Sequence, residues 1–589
     1  MSSKKKQLDW DIFVRLMSLA KPYRGVLIVS CLLAIALAPL ATVKPWLINV
    51  IVDDYIAVSD MSGLLRMAMI FVAVLLLHGA VQYFFIYATN LLGQSVIKDL
   101  RVDVFNHINK FKLSYFDKTP IGTFTTRTIN DIETINTVFS QGVITIVADI
   151  LTLVTVLVVM FMTSIKLTLI CLVTMPLLIY ATYVFKTKVK SAYQVVRTQI
   201  ARMNAFLQER ITGMRIVQMF NAESLEMVKF RAINREYTKA NLDSILYYAV
   251  FFPVVEIIAA MSLGLMVWWG ARGVLDGDVT LGALIVFPIY LNMLFRPMRM
   301  LADKFNTLQM GLVAADRIFG ILDTTEMIPN KGTLKKDTFE GAIEFKNVFF
   351  SYDGKHDVIK GLSLKVNPGE TMAIVGSTGS GKSTIINILN RFYDIREGHV
   401  CIDGVDINKY ELYAFREHIA MVLQDVFLFS GTVIENITLR NTGISREQVI
   451  EASKTIGAHP FIESLPGAYD FKVAERGANL SMGQRQLISF VRALVFDPDI
   501  LILDEATSSI DSETEAIIQS AIETLIKKRT SIIIAHRLST IRNADNILVL
   551  DHGERMEFGP HDELLKTENG LYQKLYQIQF EHSGAGVQI

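Results

Sequence analysis

The octapeptide GSTGSGKS is the stretch of this sequence whose residue types most directly indicate chemistry. It matches GxxxxGK[ST] at every fixed position and lies between an apolar strand-like run, 372–375, and an apolar helix-like run, 384–389. Glycines let backbone N–H groups wrap around phosphate, and a helix start also favours an anion. The alternative, a Gly/Ser loop without a ligand, is disfavoured by these flanks. The segment predicts a nucleoside triphosphate site formed by Gly376, Ser377, Thr378, Gly379, Ser380, Gly381, Lys382, Ser383 and Thr384.

Other residues supply groups suited to phosphoryl transfer. Within the loop, Lys382 is placed to reach the outer phosphates and Ser383 to hold Mg2+. Downstream, the apolar run 500–503 ends in Asp504 and Glu505, which predicts a buried strand with two carboxylates at its tip. Such a strand presents one acid to the Mg2+ shell and the other to water. We assign Asp504 the first role and Glu505 the second; a strand that merely ends at a polar turn is the alternative.

A third segment, LSMGQ at 480–484, precedes a run with apolar residues at Leu487, Phe490 and Leu494. Ser481 and Gln484 have the spacing of a capping box, which indicates the start of a helix. A helix start that carries Ser481 and Gly483 is also suited to binding an anion. Both interpretations remain open from the residues alone.

Composition indicates a membrane protein with more than one domain. The chain has 589 residues, 51% of them hydrophobic, and its mean hydropathy is positive. The formal net charge is zero, so nothing indicates a nucleic-acid partner. Cys31, Cys171 and Cys401 are scattered, which argues against a disulfide framework or a structural zinc site.

Six apolar segments are long enough to cross a bilayer, which takes about 20 residues of helix. The N-terminus resembles a signal peptide, because Lys4, Lys5 and Lys6 precede an apolar run that ends in small residues at 36–38. Pro39 directly follows these small residues, which favours a membrane span that is retained. The second and fourth connections are rich in Lys and Arg, which places both chain ends in the cytoplasm. The segments are 25–45, 67–90, 144–165, 167–186, 248–271 and 279–298.

Three ionisable residues fall within the predicted spans. Asp149, Glu256 and Arg296 lie 16 to 18 residues from the charged residue at the outer end of their span, about 24–27 Å at 1.5 Å per residue. Such residues are candidates for function. We expect Asp149 or Glu256 to neutralise Arg296, or else to meet a cationic substrate.

These patterns predict an all-α membrane domain followed by an α/β nucleotide-binding domain. The membrane domain is predicted at 1–310 and a linker at 311–340. The nucleotide-binding domain is predicted at 341–580 and a tail at 581–589. The two basic connections are expected to form long helices that extend beyond the membrane.

With these motifs in place, the chain resembles a half-transporter of the ABC exporter family, of the type IV fold with six spans fused to one nucleotide-binding domain. The resemblance implies that Tyr352 stacks on adenine, that Gln424 senses Mg2+ and the attacking water, and that His536 contacts the terminal phosphate. It also implies a subunit-contacting D-loop at 508–511, including Asp511. The segments 116–131 and 208–223 resemble the family's coupling segments.

The family mechanism implies two chains that face each other, each ATP lying between one phosphate loop and the partner's signature residues, here Ser481, Gly483 and Gln484. The usual signature is LSGGQ, whereas this chain has Met482 at the third position. A side chain there restricts close approach and unusual dihedral angles. The combination resembles one subunit of heterodimeric bacterial exporters, so a different half-transporter is the expected partner; a homodimer remains open.

The resemblance implies ATP-driven export of hydrophobic or amphipathic compounds, drugs or lipids, across the cytoplasmic membrane, with ATP and Mg2+ as cofactors. Glu505 would polarise water, while Lys382 and His536 stabilise phosphate charge. A lipid or peptide exporter that works as a homodimer, or an ATP-gated channel, is the alternative. The partners expected are a second half-transporter, the lipid bilayer and a small amphipathic substrate.

Overall fold

A computed structural model of the chain describes residues 10–504, 512–535 and 538–580. The chain folds into two units. The first, the helical unit, is Met1–Asn109 with Ile121–Thr324, and the second, the sheet unit, is Lys110–Pro120 with Thr325–Ile589. The predicted tail, 581–589, lies outside the described residues.

From residue 10 to Leu322 the chain is mostly helical, with short π-helical and 3-10 segments between some of the helices. One of these helices, Leu113–Lys118, belongs to the sheet unit, and the others belong to the helical unit. The helices are α1 Trp10–Ser18, α2 Arg24–Val50, α3 Met61–Ile108, α4 Leu113–Lys118, α5 Ile121–Thr126, α6 Ile132–Thr137, α7 Val143–Thr163, α8 Ile165–Leu172, α9 Met175–Thr212, α10 Met214–Met219, α11 Glu223–Leu275 and α12 Leu281–Leu322.

Within the described residues, five helical stretches are long and apolar enough to cross a membrane: Lys21–Ile56, Met61–Ile108, Ile121–Thr163, Ile165–Thr212 and Glu223–Leu275. The sixth predicted segment coincides with Leu281–Pro297, the apolar first part of α12. Each predicted span therefore lies largely in helix. The fourth is divided, because α8 ends at Leu172 and α9 begins at Met175, next to Pro176. Proline lacks an N–H and is accepted in a first turn.

Several helices are much longer than a bilayer requires. α9 has 38 residues and α11 has 53, which correspond to about 57 Å and about 80 Å at 1.5 Å per residue. The hydrocarbon core is about 30 Å thick. Both helices therefore continue well beyond the apolar segments, as the sequence predicts.

The predicted start of the linker at residue 311 differs from the structure, in which α12 continues to Leu322. Residues Leu308, Leu312, Ala315 and Phe319 recur at helical spacing and are all buried. Their burial keeps the segment helical although its composition is partly polar. The helical unit ends at Thr324, and the extended chain that follows belongs to the sheet unit.

The sheet unit contains one large mixed sheet, one smaller antiparallel sheet and a two-stranded pair. The large sheet has the order β12-β11-β3-β10-β9-β6, and it is parallel except for β12. The smaller sheet has the order β2-β1-β4-β5, and β7 pairs with β8. The strands are β1 Ile343–Phe350, β2 Ile359–Val366, β3 Thr371–Gly376, β4 Glu397–Ile402, β5 Val405–Asp406, β6 Ile419–Val422, β7 Gly431–Thr432, β8 Lys472–Val473, β9 Ile500–Asp504, β10 Thr530–Ile534, β11 Asn546–Asp551 and β12 Glu554–Gly559.

Helices cover both faces of the large sheet. Consecutive residues of β3 show this, because Ala373 packs in one apolar cluster and Ile374 in another. A strand buried on both faces is typical of a parallel sheet. The predicted fold class, an all-α membrane domain with an α/β nucleotide-binding domain, is confirmed. The helices of the sheet unit that follow α4 are α13 Lys382–Leu389, α14 Leu412–Glu417, α15 Val433–Thr438, α16 Arg446–Ile456, α17 His459–Ser464, α18 Met482–Val495, α19 Ser512–Ile526, α20 Leu538–Arg542, α21 His561–Leu564 and α22 Leu571–Phe580.

Candidate nucleotide site

The phosphate loop connects the carboxyl end of β3 to the start of α13, as the sequence predicts. Two glycines are required by its shape. Gly381, the residue before α13, has φ +104°, which a residue with a Cβ rarely adopts. At Gly376, a Cβ would lie 2.2 Å from the carbonyl oxygen of Leu550. The middle of the loop is open: Ser377, Thr378 and Gly379 are exposed.

Lys382 lies at the start of α13 and turns back over the loop. Its Nζ donates hydrogen bonds to the carbonyl oxygens of Gly376, at 2.8 Å, and Ser377, at 2.9 Å. Burial lowers the pKa of Lys382, while the nearby carboxylate of Asp504 acts in the opposite direction. The loop thus has a cation at its base and an acid within electrostatic range of that cation.

Strand register explains why Asp504 lies near the loop. Both β3 and β9 pair in parallel with β10, and Ile534 of β10 is opposite Ile374 on one side and Asp504 on the other. Gln424 follows β6 by two residues, and Val422 of β6 is opposite Leu503. The phosphate loop, Asp504 and Gln424 therefore lie at the carboxyl ends of neighbouring strands, where open parallel sheets bind ligands.

Tyr352 follows β1, and its side chain reaches α13. Its hydroxyl donates to Oγ1 of Thr384 at 3.2 Å and accepts from Nδ2 of Asn387 at 3.4 Å. Tyr352 is 42% exposed, so part of the residue is open to solvent. Tyr352 is therefore tied to the helix that begins at the phosphate loop.

The segment 480–484 begins α18 through a complete capping box. The Ser481 hydroxyl accepts from the N–H of Gln484 at 3.2 Å, and Oε1 of Gln484 accepts from the N–H of Ser481 at 2.9 Å. The structural interpretation of this spacing is therefore confirmed. Gly483 is buried, and Met482 is the first residue of the helix.

Met482 has an ordinary helical backbone, so the unusual dihedral angle considered from the sequence is not needed here. Its side chain lines a cavity of about 270 Å3 together with Gln424 of the same chain. Arg476, Arg485 and Gln486 line the same cavity. The cavity thus lies between the start of α18 and the segment that follows β6.

The remaining residues predicted for catalysis and subunit contact are Glu505, His536 and the segment 508–511 with Asp511. All of them lie outside the described residues. Their predicted roles stay predictions. The strands that lead to them are described: β9 ends at Asp504, directly before Glu505, and β10 ends two residues before His536.

The charges predicted within the membrane spans have different environments. Asp149 of α7 forms an ion pair with Lys304 of α12 rather than with Arg296. Both partners are largely buried, with side chains 28% and 20% exposed. Sequence analysis missed Lys304 because it lies beyond the predicted end of the sixth span. Glu256 and Arg296 lie on exposed positions of α11 and α12.

Apolar helices and a phosphate loop on a parallel sheet, in one chain, define a membrane protein that uses a nucleotide. Comparison with known proteins supports this class: residues 27–298 match the model of the ABC transporter transmembrane region, and residues 359–508 match that of the ABC transporter. The chain is 39% identical to the uncharacterized ABC transporter ATP-binding protein YknV of Bacillus subtilis (strain 168), over 98% of this chain and 96% of the relative.

Two further relatives have more specific names. The putative multidrug export ATP-binding/permease protein YgaD of Bacillus subtilis (strain 168) is 36% identical over 96% of this chain and 99% of the relative. The ATP-dependent lipid A-core flippase of Syntrophus aciditrophicus (strain SB) is 35% identical over 98% and 96%, respectively. The chain belongs to the ABC transporter family. It is a multi-pass membrane protein of the half-transporter type that couples ATP hydrolysis to export.

Proposed function

We propose that the chain exports hydrophobic or amphipathic compounds, drugs or lipids, across the cytoplasmic membrane, with both chain ends in the cytoplasm. The excess of Lys and Arg in the second and fourth connections supports this orientation. One relative is named for multidrug export and another for lipid A-core flipping, which supports an amphipathic cargo. The observation that carries the use of ATP in this proposal is the alignment of Asp504 with the phosphate loop across β10.

In the proposed site, Tyr352 stacks on adenine and the loop N–H groups hold the phosphates. Lys382 moves from the carbonyl oxygens of its own loop to the outer phosphates, where its charge favours the transition state. Glu505 acts as the base that polarises the attacking water, and His536 contacts the terminal phosphate. Asp511 contacts the partner subunit.

The residues present also suit Mg2+. The Ser383 hydroxyl, the Asp504 carboxylate and the Gln424 amide oxygen are hard oxygen ligands of the kind that Mg2+ prefers. Ser383 is exposed in the first turn of α13, and Asp504 is within electrostatic range of the neighbouring Lys382. When bound, Mg2+ neutralises charge that develops on the phosphate oxygens. Ser383, Asp504 and Gln424 would hold the ion and so help to orient the triphosphate.

Half-transporters of this family work as dimers. We propose that the partner of this chain is a different half-transporter with an LSGGQ signature and a defective catalytic acid. Met482 supports this, since Ser481, Gly483 and Gln484 would meet ATP bound to the partner's phosphate loop. This chain's own phosphate loop and Glu505 would then serve the other ATP, at the partner's signature.

Transport and hydrolysis should be measured together. The chain, alone and with candidate partner chains, would be reconstituted in nanodiscs for ATPase assays and in vesicles for uptake of a cationic amphipathic dye or a fluorescent phospholipid. Glu505→Gln should keep ATP binding and lower turnover by about 10²- to 10⁴-fold, the usual contribution of a general base. Near-normal hydrolysis in this variant, or equal dye uptake by Lys382→Ala without hydrolysis, would contradict the proposal. A symmetric dimer of this chain alone with robust ATPase activity would contradict the heterodimer.

A further inference from the structure

The hairpin formed by β11 and β12 turns back at residues 551–553, next to the phosphate loop. β11 pairs in parallel with β3, and this register places Leu550 opposite Gly376, the first residue of the loop. His552 has φ +47° and Gly553 has φ +87°, the two consecutive positive values that a two-residue hairpin turn uses. The register of the large sheet therefore brings the 551–553 turn to the phosphate loop.

The 551–553 turn also packs against the start of β2. Gly553 is buried, and a Cβ there would lie 2.1 Å from the carbonyl oxygen of Val358, the residue before β2. Only glycine suits so close an approach at a positive φ. The carbonyl oxygen of Gly553 accepts the N–H of Lys360, in β2, at 2.9 Å. The position of the turn is thus set both by β2 and by the pairing of β11 with β3.

The turn contacts the phosphate loop at two points. The hydroxyl of Ser377, the second residue of the loop, donates a hydrogen bond to Oδ1 of Asp551 at 3.3 Å. The N–H of Gly553 donates to the carbonyl oxygen of Ser380 at 3.1 Å. The Asp551 side chain is 33% exposed, so a smaller residue there would not open the core. The contact with Ser377 can therefore be removed by substitution, whereas the contact with Ser380 belongs to the backbone.

The carbonyl oxygens of the loop explain why such support matters. A loop that turns its N–H groups towards phosphate needs donors from elsewhere for its carbonyl oxygens. Lys382 serves those of Gly376 and Ser377, and the turn serves that of Ser380. In the proposed action of the site, the Lys382 ammonium leaves its carbonyl oxygens for the phosphates. The contacts with the turn are not given up in that step, so they hold the loop while the triphosphate is bound.

We propose that Asp551 is a positioning residue that acts through Ser377 and holds the first half of the phosphate loop in the conformation that binds triphosphate. The inference rests on the use of ATP by this loop, and not on the cargo or the partner chain. The carboxylate has two opposite effects on a bound triphosphate. Its charge repels the phosphates, whereas the hydrogen bond that its oxygen accepts keeps the loop in shape. Asparagine removes the charge and keeps the acceptor oxygen, so it separates the two effects.

Three single variants of the hairpin test the role of the acceptor oxygen. We expect Asp551→Ala to raise KM for ATP about threefold or more, the size of one hydrogen bond, with kcat within about twofold. Asp551→Asn should have a KM at or below the wild-type value, because its amide oxygen still accepts from Ser377. Glu554→Ala is the matched control and should leave KM unchanged, since Glu554 is an exposed carboxylate opposite Asp551 in the same hairpin. KM and kcat would be measured in nanodiscs, in the assembly that hydrolyses ATP, beside thermal unfolding. Equilibrium binding of trinitrophenyl-ATP to the chain alone gives the same comparison without turnover.

The Ser377→Ala background tests the route. Ser377→Ala alone should raise KM at least as much as Asp551→Ala, and adding Asp551→Ala to it should raise KM no further. An Asp551→Asn protein as impaired as Asp551→Ala, or a full KM increase that persists without the Ser377 hydroxyl, would overturn the positioning role. A KM lowered by both Asp551 variants would overturn it as well, because the carboxylate would then only repel phosphate. A folded wild-type chain that does not bind trinitrophenyl-ATP would instead overturn the use of ATP by this loop, and this inference with it.

Discussion

The ammonium nitrogen of Lys382 donates a hydrogen bond of 2.8 Å to the carbonyl oxygen of Gly376, the residue that opens its own loop. Because the backbone of the loop holds the Lys382 ammonium, the loop is compact when no phosphate is bound. The same ammonium has only to move from carbonyl oxygens to phosphate oxygens to act on a triphosphate. The loop is thus organised in advance for its ligand.

Replacing Lys382 with Ala should lower the ATPase rate at least about 100-fold, because one charge-assisted contact to a transition state contributes about 2.7–4 kcal/mol. The ATPase rate would be measured as the release of inorganic phosphate by the protein in nanodiscs. Lys365→Ala, an exposed residue of β2, is the control and should retain the wild-type rate. A Lys382→Ala protein that is folded and active would exclude the assigned role.

Met482→Gly tests the altered signature. The Met482 side chain would hold the signature residues away from ATP that is bound to the phosphate loop of a facing chain. If so, Met482→Gly expressed alone should hydrolyse ATP about threefold faster or more than wild type. The ATPase rate of Met482→Ala should lie between those of wild type and Met482→Gly. Stability should fall by up to about 1 kcal/mol, because glycine disfavours helix. ATPase rate and thermal unfolding would be followed together. An unchanged or lower rate in a stable Met482→Gly protein would show that Met482 is not the restricting group.

Local motifs were predictable from the sequence, and contacts between distant segments were not. The loop from Gly376 to Ser383 is contiguous, and its flanking strand and helix are encoded within a few residues on either side. The capping box of Ser481 and Gln484 is equally local. In contrast, Asp149 and Lys304 are 155 residues apart, and Ser377 is 174 residues from Asp551. Such pairs depend on how whole helices and strands pack, which one sequence does not specify residue by residue.

The end of α12 shows a different reason for a missed prediction. Polar residues, together with Pro329, Asn330 and Gly332 further on, indicate a linker from residue 311. The apolar positions that recur among those polar residues, such as Leu312 and Phe319, decide the structure because they are buried. Average polarity therefore misplaced the boundary, whereas helical periodicity would have placed it near Leu322.

Asp403 is a pH-dependent stabilising group in the sheet unit. Its carboxylate accepts the N–H groups of Glu340, Gly341 and Ala342 at 2.9 Å and the ammonium of Lys336 at 2.7 Å. Burial raises the pKa of Asp403, but the Lys336 contact and the backbone donors outweigh it, so the pKa lies below its ordinary value of 3.8. A carboxylate with a lowered folded-state pKa stabilises the fold above the unfolded-state pKa, and this contribution is lost as the pH falls through the folded-state value.

Asp403→Asn should therefore destabilise the protein at pH 7 by about 2–4 kcal/mol, because an amide group replaces an acceptor that faces several donors. The difference from wild type should narrow as the pH falls below 3.8. Thermal unfolding of wild type and Asp403→Asn between pH 7 and pH 3 measures this difference in stability. A difference that stays constant from pH 7 to pH 3 would show that the charge of Asp403 contributes nothing.

The ion pair of Asp149 and Lys304 is largely buried, so water solvates its two charges poorly. Removing one partner leaves the other charge largely buried, so Asp149→Asn should destabilise the helical unit by about 1–3 kcal/mol, less than the loss for a fully buried pair. Lys166→Gln is the matched control: its pair with Asp278, at 3.1 Å, has side chains 54% and 60% exposed, and its loss should cost at most about 1 kcal/mol. Thermal unfolding in nanodiscs measures both variants. The exchange Asp149→Lys with Lys304→Asp should recover most of the lost stability, because it restores the attraction with the signs reversed. Equal losses in the two single variants, or no recovery on exchange, would mean that the ion pair does not hold α7 and α12 together.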